Sequence, residues 1–145
     1  LIADADSIAL AVAFVNATIG KLWLKGATGP DAYCCWGLAQ AGQRVVMGRD
    51  IPMIAIDEDS SLSIARAMRN HPLFGTWEPH RDPCHGDVVK MFSPTNPNHI
   101  GVYWDVDRGG IHHSARGDGV RFDPLFVMPA NGWSKLEFWR PRAIA

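Results

Sequence analysis

Long apolar runs are missing from this sequence: no stretch reaches the roughly 18 uninterrupted apolar residues that a membrane-spanning helix needs. Charge of one sign is equally scarce. With 14 basic residues against 15 acidic ones, a net charge of -1 and no long run of like charge, a general attraction to nucleic acid or anionic lipid is excluded. Cysteine is rare and odd in number, at 3, so the set does not form a disulfide scaffold. Neither C-x-x-C nor H-E-x-x-H occurs, which removes the common zinc patterns. There is no internal repeat, low-complexity segment or convincing linker, and 145 residues at 47% apolar composition suffice for one core, so residues 1–145 are expected to form a single domain. The first twenty residues carry Asp4 and Asp6 but no basic residue, unlike a secretory signal, while Leu1 in place of Met points to trimming or processing.

What is present divides into two halves. Ile8, Val12, Val15 and Ile19 recur at helical spacing, with Asp6 or Ser7 as N-cap and Gly20 as stop. A second helical pattern runs over residues 35–47 and stops at Gly48, and a third begins at Ser60 or Ser61 and ends near Asn70, before Pro72. From residue 88 onward the pattern changes to short β-rich runs at 88–92, 99–104, 110–114, 119–122 and 135–139, separated by Gly, Pro, Asn and Asp. Helices first and strands afterwards imply an α+β fold, with N-terminal helices packed on a mainly antiparallel sheet of about five strands.

The run YCCWGLAQ at 33–40 places two adjacent cysteines at a helix start. There the unpaired N–H groups and the positive end of the helix dipole favour a thiolate, so Cys35 is placed to be a nucleophile, although Cys is also among the residues most often simply buried. A nucleophilic thiol needs a base, and that base needs an orienting partner. In HIGVYW at 99–104, strand alternation puts His99, Gly101 and Tyr103 on one face. The next strand, GIHHS at 110–114, carries His112 and His113 on opposite faces, so register decides which joins His99. A four-residue hairpin loop brings His112 to that face, and a three-residue loop brings His113. A bulge at Gly109-Gly110 leaves the choice open. HRDPCH at 80–85 groups His80, Cys84 and His85, but its spacing matches no common metal site, and it reads as a turn with solvated histidines.

The order of these pieces resembles the NlpC-type cell-wall cysteine peptidases, small papain-like hydrolases of bacteria and their phages. The resemblance runs through IGKLWLKGATGPDAYCCWGLAQ (19–40), GDVVKMF (86–92), HIGVYW, IHHS (111–114) and FWRP (138–141). It implies a papain-like fold and a peptidoglycan hydrolase that cleaves stem-peptide amide bonds, of the D-glutamyl-diaminopimelate kind, through a Cys-His-His triad and an acyl-enzyme. Carried onto this sequence, the triad is Cys35, His99 and His112, and Trp23 and Trp36 fall in the substrate or oxyanion region. The C-W-G-L tryptophan and the glycine spacing after Trp23 look most like the phage tail-tip branch, which would place the protein at the bacterial cell wall as a virion tail component or an exported protein. In that setting it would meet peptidoglycan and other tail or secretion-device subunits. No cofactor, metal or nucleic-acid partner is implied. One departure stands out: the family usually has aspartate before the nucleophile, where this chain has Cys34. The rival readings are a structural tail-tip or secretion-device subunit of the same fold, a metal-binding domain using His80, Cys84 and His85, and a related cell-wall amidase.

Overall fold

The structure is a computed structural model that describes residues 4–54, 60–94 and 97–143. Its helices are α1 (Ala5–Thr18), α2 (Cys35–Gly42), which continues as a π-helical turn over Gln43–Met47, α3 (Ser61–Asn70) and α4 (Leu73–Thr76). Its strands are β1 (Trp77–His80), β2 (Val88–Phe92), β3 (Pro97–Trp104), β4 (Gly110–Ala115), β5 (Gly119–Pro124) and β6 (Lys135–Pro141). They form one sheet of 6 strands in the order β1-β6-β2-β3-β4-β5, with every neighbouring pair antiparallel. The expected α+β architecture is thus present, with β1 and α4 added. WEPH does not announce a strand because Pro79 lacks an N–H, a defect that the edge position of β1 tolerates.

Alternation along the central strands builds two cores. Ile100, Val102 and Trp104 of β3 and Val88 of β2 face the helices, where they pack in one cluster with Phe14, Trp36, Leu38 and Met68. On the other face Val89, Met91, Tyr103, Ile111, Met128 and Phe138 form a second cluster. The helix α1 does not bury the stripe its periodicity suggests. Asp4 caps it by accepting from the Ser7 N–H at 2.7 Å, and the buried residues are Ala11, Phe14, Val15 and Thr18. Ile19 lies beyond the helix end and is 52% exposed, because the helix turns Phe14 and Thr18 toward the sheet.

The start of α2 is built by a close backbone crossing. Cys34 is the N-cap, extended at φ -80° and ψ 171°, and its sulfur accepts from the Gly37 N–H at 3.2 Å. Its own N–H donates to the Ala27 carbonyl at 2.8 Å, which draws the preceding loop across the first helical turn. A Cβ on Gly37 would overlap that carbonyl oxygen and press on Thr28, so the glycine after Trp36 is required by sterics. Tyr33 is tied to β4, its carbonyl accepting from the Ser114 hydroxyl at 2.7 Å.

Register between β3 and β4 corrects one expectation directly. Val102 pairs with His112, Tyr103 with Ile111 and Trp104 with Gly110, so the connection is five residues, 105–109, and not four. It turns through Asp107 at φ 50°, Arg108 at φ 70° and Gly109 at φ 95°. With that odd length His112 lies on the helix face, where it cannot meet His99. Its ring is 1% exposed, accepts at Nδ1 from the Trp104 indole N–H at 3.1 Å, and so donates from Nε2 to the Thr18 hydroxyl at 2.9 Å. Thr18 passes a hydrogen bond on to the Phe14 carbonyl at 2.9 Å, and Phe14 meets the imidazole edge-on at 5.4 Å. His112 therefore fastens α1 to the sheet.

Two expected outcomes follow from these contacts. Gly37→Ala should cost about 3 kcal/mol or more in a denaturant titration, because the clash is with backbone that cannot move aside. Burial, with the neighbouring His113 adding to it, lowers the His112 pKa from its ordinary 6.5 to about 3. Below pH 6.5 the unfolded chain takes up a proton that folded His112 refuses, so stability present above that pH is lost as it falls toward 3. His112→Gln should make the stability–pH slope in that window shallower by about one proton, ~1.4 kcal/mol per pH unit, in urea titrations at several pH values. An unchanged slope would refute the neutral, structural assignment of His112.

Candidate active site

The opposite face of the β3–β4 pair carries a continuous polar chain. His99 Nε2 lies 2.8 Å from His113 Nδ1, and His113 Nε2 donates to Asp123 Oδ2 at 2.8 Å. The carboxylate is held again at Oδ1 by Arg121 at 3.2 Å, and Arg121 also reaches Asp118 at 3.3 Å. The arrangement follows from alternation: His113 is the histidine of β4 turned away from the helices, on the face of Ile111, and Arg121 pairs with it on β5, two residues before Asp123. Gly101 leaves room between the rings, because a Cβ there would run into Ile111 and His113. Trp133 stacks flat on the other side of His99, with centroids 5.0 Å apart and planes 11° apart.

Burial dominates the electrostatics. His99 is 8% exposed, and desolvation, reinforced by His113, pushes its pKa well below the ordinary imidazole value. Asp123 moves the other way for a carboxyl in such a place. The hydrogen bond from His113 holds its pKa below the usual range against the opposing effect of burial. Asn98, His99, Ala115, Arg116 and Trp133 line an open cavity here, and His113, Asp118, Arg121, Asp123 and Asn131 line an adjoining one.

The sequence-predicted residues divide as follows. Cys35 opens α2 and is half-buried; Cys34 is 1% exposed, and the two carry separate thiols, not a vicinal disulfide. α2 packs against β3 and β4, and the Tyr33–Ser114 bond sets the helix start beside the strand end that bears His113 and Ala115. Trp23 is half-buried, with the Arg116 guanidinium 4.3 Å above its ring, so it borders the His99 cavity through that arginine. Trp36 does not border it. The residue is 1% exposed, its indole N–H donates to the Pro52 carbonyl at 2.9 Å and its ring packs on His71 at 4.8 Å, so it is a core residue. His113 takes the position beside His99 that was expected of His112.

Asp123, Arg121 and Trp133 were not anticipated. An acidic residue at an inward-facing strand position, as in GVRFDP, is the one signal that could have drawn attention to Asp123. The HRDPCH segment turns out to be a clasp. Arg140 grips both oxygens of Asp87 at 3.0 and 2.7 Å, reaches the Cys84 sulfur at 3.0 Å, and so ties the turn to β6. His85 is not simply solvated: its ring lies 3.0 Å from the Ser7 hydroxyl and accepts the Asp105 N–H at 2.9 Å. Among the described residues no group of three or more His, Cys, Asp or Glu side chains could hold a metal ion.

No protein-family model and no curated protein sequence matches this chain. Solved structures do match. NlpC1 from Trichomonas vaginalis superposes with a TM-score of 0.59 at 21% identity over 97% of this chain and 46% of its own. NlpC2 from the same organism gives 0.59 at 20% identity over 97% and 48%. The NlpC/p60 domain of the peptidoglycan hydrolase SagA gives 0.58 at 18% identity over 90% of this chain and 97% of that domain. The chain thus spans about half the length of the two Trichomonas proteins and nearly all of the SagA domain. The helices on an antiparallel sheet, with a cysteine at the start of α2 and paired histidines on β3 and β4, have the papain-like fold of NlpC/p60 domains.

Proposed function

We propose that this chain is a cysteine peptidase that hydrolyses amide bonds in the stem peptides of bacterial peptidoglycan. The observation that carries the reading is the His99–His113 pair at 2.8 Å, on the two strands against which α2, the helix that Cys35 opens, is packed. The SagA domain, which shares the fold, is described as part of a peptidoglycan hydrolase. In this reading Cys35 is the nucleophile, His99 the general base and acid, and His113, in place of His112, the residue that orients the base.

The chemistry follows from burial. A lone imidazolium at His99 is disfavoured by desolvation, so the ring rests neutral, with Nε2 engaged by His113. As the Cys35 thiol attacks a carbonyl, its proton passes to Nδ1 of His99, and the negative charge that develops nearby offsets the new imidazolium. Backbone N–H groups at the first turn of α2, at the positive end of the helix dipole, would receive the oxyanion. His99 then protonates the leaving amine, and water attacks the acyl-enzyme with the same ring as base. Trp23 and Arg116 would flank the entering peptide, and the D-glutamyl-diaminopimelate bond is the one proposed for cleavage.

Mass spectrometry of muropeptides before and after incubation tests this. Wild-type protein should release cleaved stem peptides, Cys35→Ala should release none, and Cys34→Ser should retain most of the activity because its hydroxyl can still cap Gly37. Equal loss from both would sink the assignment of the nucleophile. Since His99 stays neutral to unusually low pH, the acidic limb of kcat/KM should lie below pH 6.5. A limb above that value would show that the base is not the buried imidazole.

A further inference from the structure

Resting on that reading of the site, we infer that Asp123, clamped by Arg121, is a positioning residue that sets the tautomers of both His113 and His99. A carboxylate can only accept, so the 2.8 Å contact to Oδ2 requires His113 to carry its proton on Nε2. Nδ1 of that neutral ring is then an acceptor, and the 2.8 Å contact to His99 is supplied by a proton on His99 Nε2. This leaves Nδ1 of His99 with its lone pair, the atom the mechanism needs as base. One acid two rings away thereby fixes where the reactive lone pair sits. Arg121 contributes by holding Oδ1 at 3.2 Å, and the hydrogen bond from His113 keeps the carboxyl ionised.

The clamp also dictates what a neutral isostere does. In Asp123→Asn the guanidinium, a donor only, retains the amide oxygen at the Oδ1 position and turns the NH2 toward His113. That group donates, so His113 must accept at Nε2 and move its proton to Nδ1. His99 must then accept at Nε2 and carry its proton on Nδ1, which reverses the direction of both bonds and removes the base. Removing Arg121 as well frees the amide to flip and present oxygen to His113.

Nitrogen-15 NMR of histidine-labelled protein at about pH 8, where an ordinary imidazole is neutral, reads the tautomers without any assay of hydrolysis. Wild type should show His113 and His99 both protonated on Nε2, and Asp123→Asn should show both protonated on Nδ1. Arg121→Ala alone should leave the wild-type pattern, and the double variant Asp123→Asn with Arg121→Ala should restore it. Where turnover is measured, Asp123→Asn should lower kcat at least about 100-fold with little change in KM, and the double variant should recover part of the loss. A wild-type His113 protonated on Nδ1, or on both nitrogens, overturns the inference, as does an Asp123→Asn variant with unchanged tautomers. Should that variant fail to fold, the wild-type spectrum still decides. Failure to cleave muropeptides with the expected spectra would reject the proposed reaction and leave the tautomer lock standing.

Discussion

The pairing of Val102 with His112 divides two adjacent histidines between the two sides of the sheet, and the core and the polar site both depend on that division. Successive strand residues point to opposite faces, so a slip of one residue would bring His113 into the apolar space under α1 and send His112 to the cavity. The connection that sets the register is held by three consecutive left-handed residues, Asp107, Arg108 and Gly109. A Cβ on Gly109 would overlap the Tyr103 hydroxyl, so side-chain packing on β3 constrains the turn as well.

A second constraint fixes the helix start against that sheet. The Ala27 carbonyl crosses so near to α2 that only glycine fits at position 37, and the same carbonyl receives the Cys34 N–H. Cys34 caps that helix start through its side chain. Its sulfur is a weak acceptor for the Gly37 N–H, but it suits a site that is 1% exposed, where a carboxylate would have to be desolvated. The cap and the Tyr33–Ser114 bond join the helix start to β4, so the position of Cys35 is a property of several elements at once.

His112 and His113 show how environment, not residue type, assigns a role. His112 is enclosed by Phe14, Trp104 and Thr18, with no counter-charge among its hydrogen-bond partners, so burial keeps it neutral and structural. His113 faces a carboxylate that is itself clamped by an arginine, and it joins that anion to a second imidazole. The polar chain touches solvent through cavities bordered by Trp133, whose ring stacks on His99.

The sequence by itself determined the α+β order, the helix start at Cys35, the Gly48 stop, the start of α3 at Ser60 or Ser61 and the central strands, because capping, turn chemistry and period-2 alternation act within a few residues. It also singled out His99 as a residue with space around its ring, since Gly101 lies two positions along the same face. Tertiary structure alone decided which of His112 and His113 meets it, because the strand register fixes the length of the connection at 105–109. It also decided that Trp36 is core, that α1 turns Phe14 and Thr18 inward, and that Asp123 and Trp133 join the site. Those residues come from separate segments, and contacts between segments distant along the chain depend on register and packing, which no local pattern encodes.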